Sequence, residues 1–287
     1  MMSRKKIFLL MTLPLVGIFF LFDTVPLLTG FVYSLTNSKG FGSFKFIGLS
    51  NYLRLFTDGD VLSSYYFTFK FAIVTTVVVN VFGLLLAIVL NSRIKFKTFF
   101  RGIYFLPYIL GGLVVGYIFN YIFTFILPSF GKSIGSALLS SSILGSTSTA
   151  WIGIVITVAW QSIAFNILIY MSGLQTIPED VYEAAKMDGS SKWNTFWKIT
   201  FPLLAPFFTI NLVVSMRNFM MVFDQIMSLT GGGPASSTTS ISLLIYQKGL
   251  SGNQFGYQSA NSVIYFVIIV VISIFQLKVL NKREVQL

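Results

Sequence analysis

Hydrophobic residues along the chain fall into long runs that are separated by shorter polar segments. The runs cover residues 7–35, 67–90, 102–127, 149–172, 202–228 and 261–280. A helix needs about 20 apolar residues to cross about 30 Å of hydrocarbon, and every run reaches or exceeds that length. The pattern predicts an all-α membrane protein with six transmembrane helices in a single domain over residues 1–287.

Composition favours the same location. The chain is 55% hydrophobic and 10% charged, with a mean hydropathy of +0.80. A soluble fold of 287 residues could not bury this much apolar surface. A basic start and an apolar run also occur in cleavable secretion signals, but here no small-residue cleavage site follows and the apolar character continues to Leu35. We therefore expect residues 7–35 to form the first membrane helix.

The net charge of +11 follows the distribution typical of membrane proteins rather than that of a nucleic-acid-binding surface. Most of the 20 Lys and Arg residues share one side of the membrane if the N-terminus is cytoplasmic. These inner cations are Arg4, Lys5, Lys6, Arg93, Lys95, Lys97, Arg101, Lys186, Lys192, Lys198, Lys278, Lys282 and Arg283. The distribution predicts two cytoplasmic termini and no nucleic-acid partner.

Cysteine and histidine are both absent, which excludes several kinds of chemistry. The chain has no disulfide framework, no Cys/His zinc site and no imidazole for acid–base catalysis. Gly131-Lys132-Ser133 matches the last three positions of the phosphate-binding loop motif, but Ile126 stands where that motif requires glycine. A six-span intramembrane hydrolase is the alternative from another class, and its serine–histidine, zinc or paired-aspartate motifs are missing.

One polar segment is much longer than a connection between two helices requires. Its pattern predicts a helix that begins at Pro178 and ends near Asp188, with a left-handed Gly189 after it. Ser190 or Ser191 is placed to cap a second short helix. Antiparallel helices can be joined by a few residues, so about 30 ordered residues are surplus to a simple turn. We call this helix–glycine–helix segment the elbow.

The first helix of the elbow has a small side that another protein can approach closely. The spacing places the following residues on one side: Ile177, Val181, Ala184, Ala185 and Asp188. Such a side predicts that the elbow docks into a separate protein.

The elbow sequence EAAKMDGSSKWNTFWKITFPLL resembles the EAA loop of the permease subunits of bacterial ATP-binding-cassette importers. That pattern has EAA, a glycine, and then Ile-x-Leu-Pro. It is filled here by Glu183, Ala184, Ala185, Gly189, Ile199 and Pro202, with Phe201 in place of the usual leucine. The stretches FIGLSNYLRLF, RGIYFLP and FDQIMSLTGGGP are similar to carbohydrate-type permeases, and the resemblance extends over nearly the whole chain.

The resemblance implies the type I permease fold of these importers and a multi-pass location in a bacterial cell membrane. It also implies a second homologous permease, two copies of a cytoplasmic ATPase, an extracytoplasmic sugar-binding protein and a sugar substrate. ATP and Mg²⁺ would be bound by the ATPase, with no cofactor in this chain. The coupling loop would cover about 174–201. The ATPase-coupling residues in it and directly after it would be Glu183, Ala184, Ala185, Asp188, Gly189 and Pro202.

Polar residues within the membrane helices are candidates for lining the substrate path, because they are costly in lipid unless they face a cavity or a partner. The candidates are Gln161, Asn166, Tyr170, Asn211, Ser215, Arg217, Asn218 and Asp224. Asn211, Ser215 and Asn218 are expected to form one stripe, with the two charged residues near the same face. Amides and tyrosine suit a neutral sugar.

Two alternatives stay open for these polar residues. Polar side chains also join membrane helices to one another without touching a substrate. Arg217 would suit the phosphate of glycerol phosphate, whereas Asp224 disfavours an anionic ligand.

Overall fold

The computed structural model describes residues 4–92, 97–137 and 139–280, and this part of the chain is almost entirely helical. Its α-helices are α1 Arg4–Phe19, α2 Val25–Ser34, α3 Ser50–Leu55, α4 Gly59–Asn91, α5 Lys97–Ile109, α6 Gly112–Tyr121, α7 Leu127–Ser133, α8 Ala150–Thr176, α9 Glu179–Met187, α10 Lys192–Thr195, α11 Phe201–Met220, α12 Asp224–Leu229, α13 Ile241–Tyr246 and α14 Phe255–Leu280. Of the inner cations, Arg93, Lys95, Lys282 and Arg283 lie outside the described residues.

Six helical segments of the described chain are long and apolar enough to cross a membrane, as predicted. They are Phe8–Ser34, Gly59–Asn91, Gly112–Ser133, Ala150–Thr176, Lys192–Met220 and Phe255–Leu280. Several join two α-helices through a π-helical turn, at Phe20–Thr24, Ile122–Ile126 and Phe196–Thr200. A proline follows each of these turns within two residues, at Pro26, Pro128 and Pro202. Proline lacks the amide hydrogen that a regular helical turn needs, and a wider turn accommodates the missing hydrogen bond.

Two predicted runs are interrupted in the structure. Run 102–127 is divided because α5 ends at Ile109 and Gly111 has an extended conformation, with φ −63° and ψ 141°. Run 202–228 is divided because α11 ends at Met220 and α12 begins at Asp224. The hydroxyl of Ser240 donates a hydrogen bond of 3.0 Å to the carbonyl of Val222 in the second break. This contact satisfies a backbone group that the interruption leaves outside a helix.

The chain divides into two compact units, which are described separately. The first contains residues 1–62 and 244–268. Its polar contacts gather before α4 and at the start of α14, where the Tyr257 hydroxyl donates to Asp58 Oδ2 at 2.9 Å. The Arg54 guanidinium lies 4.5 Å from the centre of the Tyr257 ring. Lys248 and Asp60 form an ion pair.

The second unit contains residues 63–243 and 269–287, and its core joins α4, α8 and α11. The buried residues of this core are Ala87, Leu90, Ile167, Tyr170, Met171, Leu174 and Leu204. Small residues let the helices approach closely: a Cβ added at Gly173 would lie 2.5 Å from the Phe207 ring, and one at Gly83 would lie 3.1 Å from Asn166 Cβ. Glycine at such positions is typical of helix packing within a membrane.

Candidate functional site

The elbow consists of α9, a left-handed glycine and α10. Gly189 has φ +71°, a conformation that L-residues other than glycine rarely adopt. The amide of Ser190 donates to the carbonyl of Ala185 at 2.9 Å, which closes the end of α9. Ser191 caps α10 by accepting a hydrogen bond of 3.3 Å from the amide of Asn194. The bend is therefore held by local hydrogen bonds.

The two sides of α9 differ in exposure. Ala185 is buried, whereas Glu183, Ala184 and Asp188 are exposed, and Met187 is 88% exposed. The small side predicted for α9 is therefore uneven in exposure, since Ala185 packs inward whereas Ala184 stays at the surface. The outward side carries two carboxylates, a methyl group and a thioether.

The predicted side also included Val181, which lies on α9, and Ile177, which does not. Ile177 is buried but precedes α9, with φ −78° and ψ 119° at the end of α8. Val181 is half-buried. Ile177 therefore packs inward as part of the connection rather than as part of a docking side.

The second arm of the elbow continues without interruption into the fifth membrane helix. Helical structure extends over 29 residues from Lys192 to Met220, through the π-helical turn Phe196–Thr200 that contains Ile199. Pro202 lies in the first turn of α11, directly after this turn. A displacement of the elbow would thus reach the end of α11 along one helix.

Four of the candidate path residues join helices in this structure. Tyr170 Oη donates to Asn80 Oδ1 at 2.6 Å, and Asn166 Nδ2 donates to Ser215 Oγ at 3.0 Å. Asn211 Nδ2 donates to the carbonyl of Asn166 at 3.2 Å. These four residues and Asn80 are all buried, and together they connect α4, α8 and α11. Asn80 was not among the predicted path residues, because its place in an apolar run gives no sign of a partner 90 residues away.

A polar cleft opens where the fifth membrane helix is interrupted. It has a volume of about 290 Å³ and is lined by Val158, Ser162, Asn218, Phe219, Met221, Val222, Phe223, Asp224 and Gln225. Asn218 and Asp224 are the two candidate path residues that line it. Asp224 is the only charged residue in this lining set. Amides, a hydroxyl, a carboxylate and aromatic rings together match the hydroxyls and the apolar ring faces of a sugar.

Gln161 supports this cleft from outside. Its Nε2 donates to the carbonyl of Leu110 at 2.8 Å, and its Oε1 accepts from Gln225 Nε2 at 2.8 Å. Gln161 is therefore a positioning residue that fixes the side chain of Gln225 at the cleft. Ser162 and Gln225 were missed by sequence reasoning, although the acidic Asp224 is a recognisable start signal for α12.

The expected stripe and the expected charge pair are not formed. Asn218 is exposed in the cleft, whereas Asn211 and Ser215 are buried between helices. Arg217 and Asp224 do not share a helix face, because α11 ends between them. Arg217 is exposed and does not line the cleft.

Helix α6 packs closely against α12 and holds it in place. A Cβ added at Gly112 would lie 2.9 Å from Asp224 Cβ, and one at Gly116 would clash with the side chain of Ser228. Asn120 Nδ2 also donates to the carbonyl of Leu229 at 2.6 Å. These contacts hold Asp224 at a defined place beside the cleft.

Apolar membrane helices, a helix break at a polar cleft and an exposed elbow define a membrane transport subunit rather than an enzyme. The chain belongs to the family of binding-protein-dependent transport system inner membrane components, which matches residues 79–284. It is therefore a multi-pass membrane protein.

Relatives and solved structures agree with this assignment. The chain is 39% identical to the multiple sugar-binding transport system permease protein MsmF of Streptococcus mutans, over 97% of this chain and 95% of that protein. It is 36% identical to the probable starch degradation products transport system permease protein AmyD of Thermoanaerobacterium thermosulfurigenes, over 92% and 90%. A bacterial ABC transporter that imports the acidic polysaccharide alginate has the same fold, with a TM-score of 0.84, 20% identity, and 97% and 96% coverage.

Proposed function

We propose that this chain is one of two membrane subunits of an ATP-driven oligosaccharide importer in a bacterial cell membrane, with both termini in the cytoplasm. The observation that carries the proposal is the continuous helix Lys192–Met220, which connects the elbow to the polar cleft. Such a connection lets a movement imposed at one end change the other. The names of the relatives MsmF and AmyD, which concern sugars and starch products, support the substrate class.

The elbow is the proposed docking element for a separate ATPase. Its outward side offers Glu183, Ala184, Met187 and Asp188, while Ala185 and Gly189 hold the bend. ATP and Mg²⁺ would be bound by two copies of that ATPase. Closure of the ATPase would pull on α10 and, through Pro202 and α11, shift the membrane helices between inward-open and outward-open arrangements.

The polar cleft is the proposed place where this chain contacts the sugar. Asn218, Asp224 and the positioned Gln225 supply hydrogen bonds, and Phe219 and Phe223 supply apolar surface. A carboxylate without a cation among the lining residues repels phosphate and uronate groups, which favours a neutral sugar over glycerol phosphate. The second permease would complete the path, and Arg217 is proposed to face that subunit rather than the sugar.

The buried polar residues are proposed to form the wall behind the path. In this conformation Asn166 bonds to Ser215 and Asn211 to the carbonyl of Asn166, while Tyr170 bonds to Asn80. Because each bond joins two helices, a change in helix arrangement during transport would break some of them and expose their polar atoms to the path. An extracytoplasmic sugar-binding protein would deliver the substrate to the outer side.

The test is uptake by vesicles that contain this chain with its partner permease, ATPase and binding protein. We expect ATP-dependent accumulation of a neutral oligosaccharide and none of glycerol 3-phosphate. Uptake of glycerol 3-phosphate alone, or accumulation that does not require ATP, would refute the proposal. A panel of labelled sugars with the cognate binding protein would identify the substrate.

A further inference from the structure

A second cleft lies behind the elbow, and the transport cycle described above does not use it. It has a volume of about 590 Å³ and lies between the ends of α4 and α8 and the inner side of the elbow. Its lining includes Lys186 and Lys192 and the hydroxyl groups of Tyr182, Ser190 and Thr195. No Asp or Glu belongs to this lining set. We call it the basic cleft.

The two ammonium groups are available to an anion. Within residues 4–92, 97–137 and 139–280, neither Lys186 nor Lys192 forms an ion pair. Thr195 Oγ1 donates to the carbonyl of Ser191 at 3.0 Å and lies 3.2 Å from Ser190 Oγ, so the Thr195 and Ser190 hydroxyl groups are adjacent at the cleft. Two cations beside hydroxyl groups form a set that suits a phosphate group.

The basic cleft and the proposed ATPase-docking side lie on different sides of α9, about 100° apart. Tyr182 and Lys186 are four residues apart and line the cleft, whereas Glu183 and Met187 point outward on the exposed side. Occupation of the cleft is thus compatible with a docked ATPase. A ligand bound there would stabilise the elbow from the side that faces α4 and α8.

Neighbouring aromatic residues indicate the depth of the cleft in the membrane. Trp193 directly follows Lys192 and Trp197 lies four residues further along; they are 71% and 47% exposed, with their rings 5.7 Å apart. Exposed tryptophans next to a long apolar helix are typical of the headgroup region. The cleft also has apolar lining from Ile88, Leu174 and Phe196, at the ends of helices that cross the hydrocarbon. An amphipathic ligand matches this combination better than a free anion does.

We propose that the basic cleft binds the phosphate headgroup of an anionic phospholipid from the inner leaflet, with the start of the acyl chains against the apolar lining. The inference rests on the proposed function in one respect, since it requires the elbow to lie on the cytoplasmic side. A bound lipid would stiffen the elbow, so that movement of the ATPase is transmitted into α11 rather than absorbed by the bend.

The test uses the whole transport complex in nanodiscs of phosphatidylcholine and phosphatidylglycerol at a ratio of about 3:1, a charge density similar to that of anionic membranes. Native mass spectrometry counts the phosphatidylglycerol molecules that stay bound to this chain. We expect Lys186→Gln and Lys192→Gln each to weaken retention about fivefold, as expected for the loss of one cation near an anionic headgroup. Lys198→Gln is the matched control, because it removes an exposed cation one to two turns further along outside the cleft.

Three results would overturn the proposal. One is retention by both glutamine variants equal to that of the parent. Another is displacement of phosphatidylglycerol by millimolar inorganic phosphate or soluble glycerol phosphate, which would make the ligand a free anion. The third is efficient cross-linking of Ser190→Cys to the ATPase, which would show that protein fills the cleft; the chain has no cysteine of its own.

Uptake measured on the same complexes separates this inference from the proposed function. Normal ATP-dependent sugar uptake with parent-like lipid retention in the variants refutes only the lipid site. A parent complex that retains lipid but imports no sugar, with variants that lose this retention, supports the lipid site. That result refutes only the proposed substrate.

Discussion

Gln161 and Gln225 are joined by a hydrogen bond of 2.8 Å between their side chains, which ties the middle of α8 to the start of α12 beside the polar cleft. Because Gln161 also donates to the carbonyl of Leu110, one side chain connects α8 and α12 with the break between α5 and α6. It is itself buried, at 7% exposure, and acts on the cleft only through Gln225. The position of an amide group at the proposed sugar site therefore depends on a residue that does not line it.

Replacing Gln161 by Leu should lower the apparent affinity for sugar about tenfold. The substitution leaves the Leu110 carbonyl and the Gln225 amide without their partner, and an unsatisfied buried polar group costs about 1–3 kcal/mol. The measurement is the concentration dependence of uptake in vesicles. Gln175→Leu, the same change at an exposed site on α8, is the control. Equal affinities in the two variants would contradict the positioning role.

Gly189→Val should uncouple ATP hydrolysis from uptake. Nothing lies within 4 Å of an added Cβ at Gly189, so the cost comes from its φ of +71°, which an L-residue adopts at about 1–2 kcal/mol. We expect the bend to relax and sugar imported per ATP hydrolysed to fall several-fold, while the complex still assembles. The measurement is the ratio of uptake to phosphate release.

Two variants control for strain in that experiment. Gly135 has φ +69° with nothing within 4 Å of an added Cβ, so Gly135→Val introduces the same strain away from the elbow. It should leave coupling unchanged. Gly189→Asn should restore coupling, because asparagine tolerates the left-handed conformation. A coupled Gly189→Val protein would refute the mechanical role of the bend.

The elbow was predictable because its signals are local. A glycine after a helical pattern and a serine before Lys192 are sufficient to mark the bend, and both act through hydrogen bonds to residues a few positions away. The six apolar segments were predictable for a similar reason, since length and hydropathy decide whether a helix can cross a membrane.

The polar cleft was not predictable in the same way. The interruption at Met221–Phe223 lies within a hydrophobic run, and one of its backbone groups is satisfied by Ser240, 18 residues further along. Burial of Asn166 and Ser215 likewise depends on which faces of α8 and α11 meet. A sequence gives the spacing of polar residues along each helix, whereas the pairing of helices decides whether they join helices or line a cavity.

Asp224→Asn should relax the discrimination against anionic sugars. The carboxylate is the only charge among the lining residues of the cleft, and its removal takes away the repulsion of an acidic group. Uptake of an acidic oligosaccharide relative to a neutral one should rise about tenfold, which corresponds to about 1.4 kcal/mol. Competition between the two labelled sugars measures the ratio. Asp23→Asn, a neutralised carboxylate in the first apolar segment, should leave the ratio unchanged.

The contact between Asp58 and Tyr257 should make the first unit sensitive to acid. Partial burial raises the pKa of Asp58, but the hydrogen bonds from the Tyr257 hydroxyl and from the amides of Val61 and Asp60, together with the charge of Lys248, outweigh it and hold that pKa below its ordinary value of 3.8. A group whose pKa is lower in the folded state stabilises that state above the ordinary pKa and loses this effect as pH falls through the folded value. The stabilisation is therefore complete at neutral pH and disappears below about pH 3.8.

Tyr257→Phe removes one of these hydrogen bonds and leaves the ring beneath Arg54 in place. The variant should melt a few degrees lower than the parent at pH 7, since a partly exposed hydrogen bond to a carboxylate contributes about 1 kcal/mol. The difference should shrink as the pH falls below the ordinary pKa of the carboxyl, because protonated Asp58 no longer favours the bond. Thermal melting of the purified complex between pH 7 and pH 3 measures both effects, with Tyr66→Phe at a 71% exposed site as the control. A melting difference that stays constant over this range would mean that the Tyr257 hydroxyl stabilises the fold independently of the charge on Asp58.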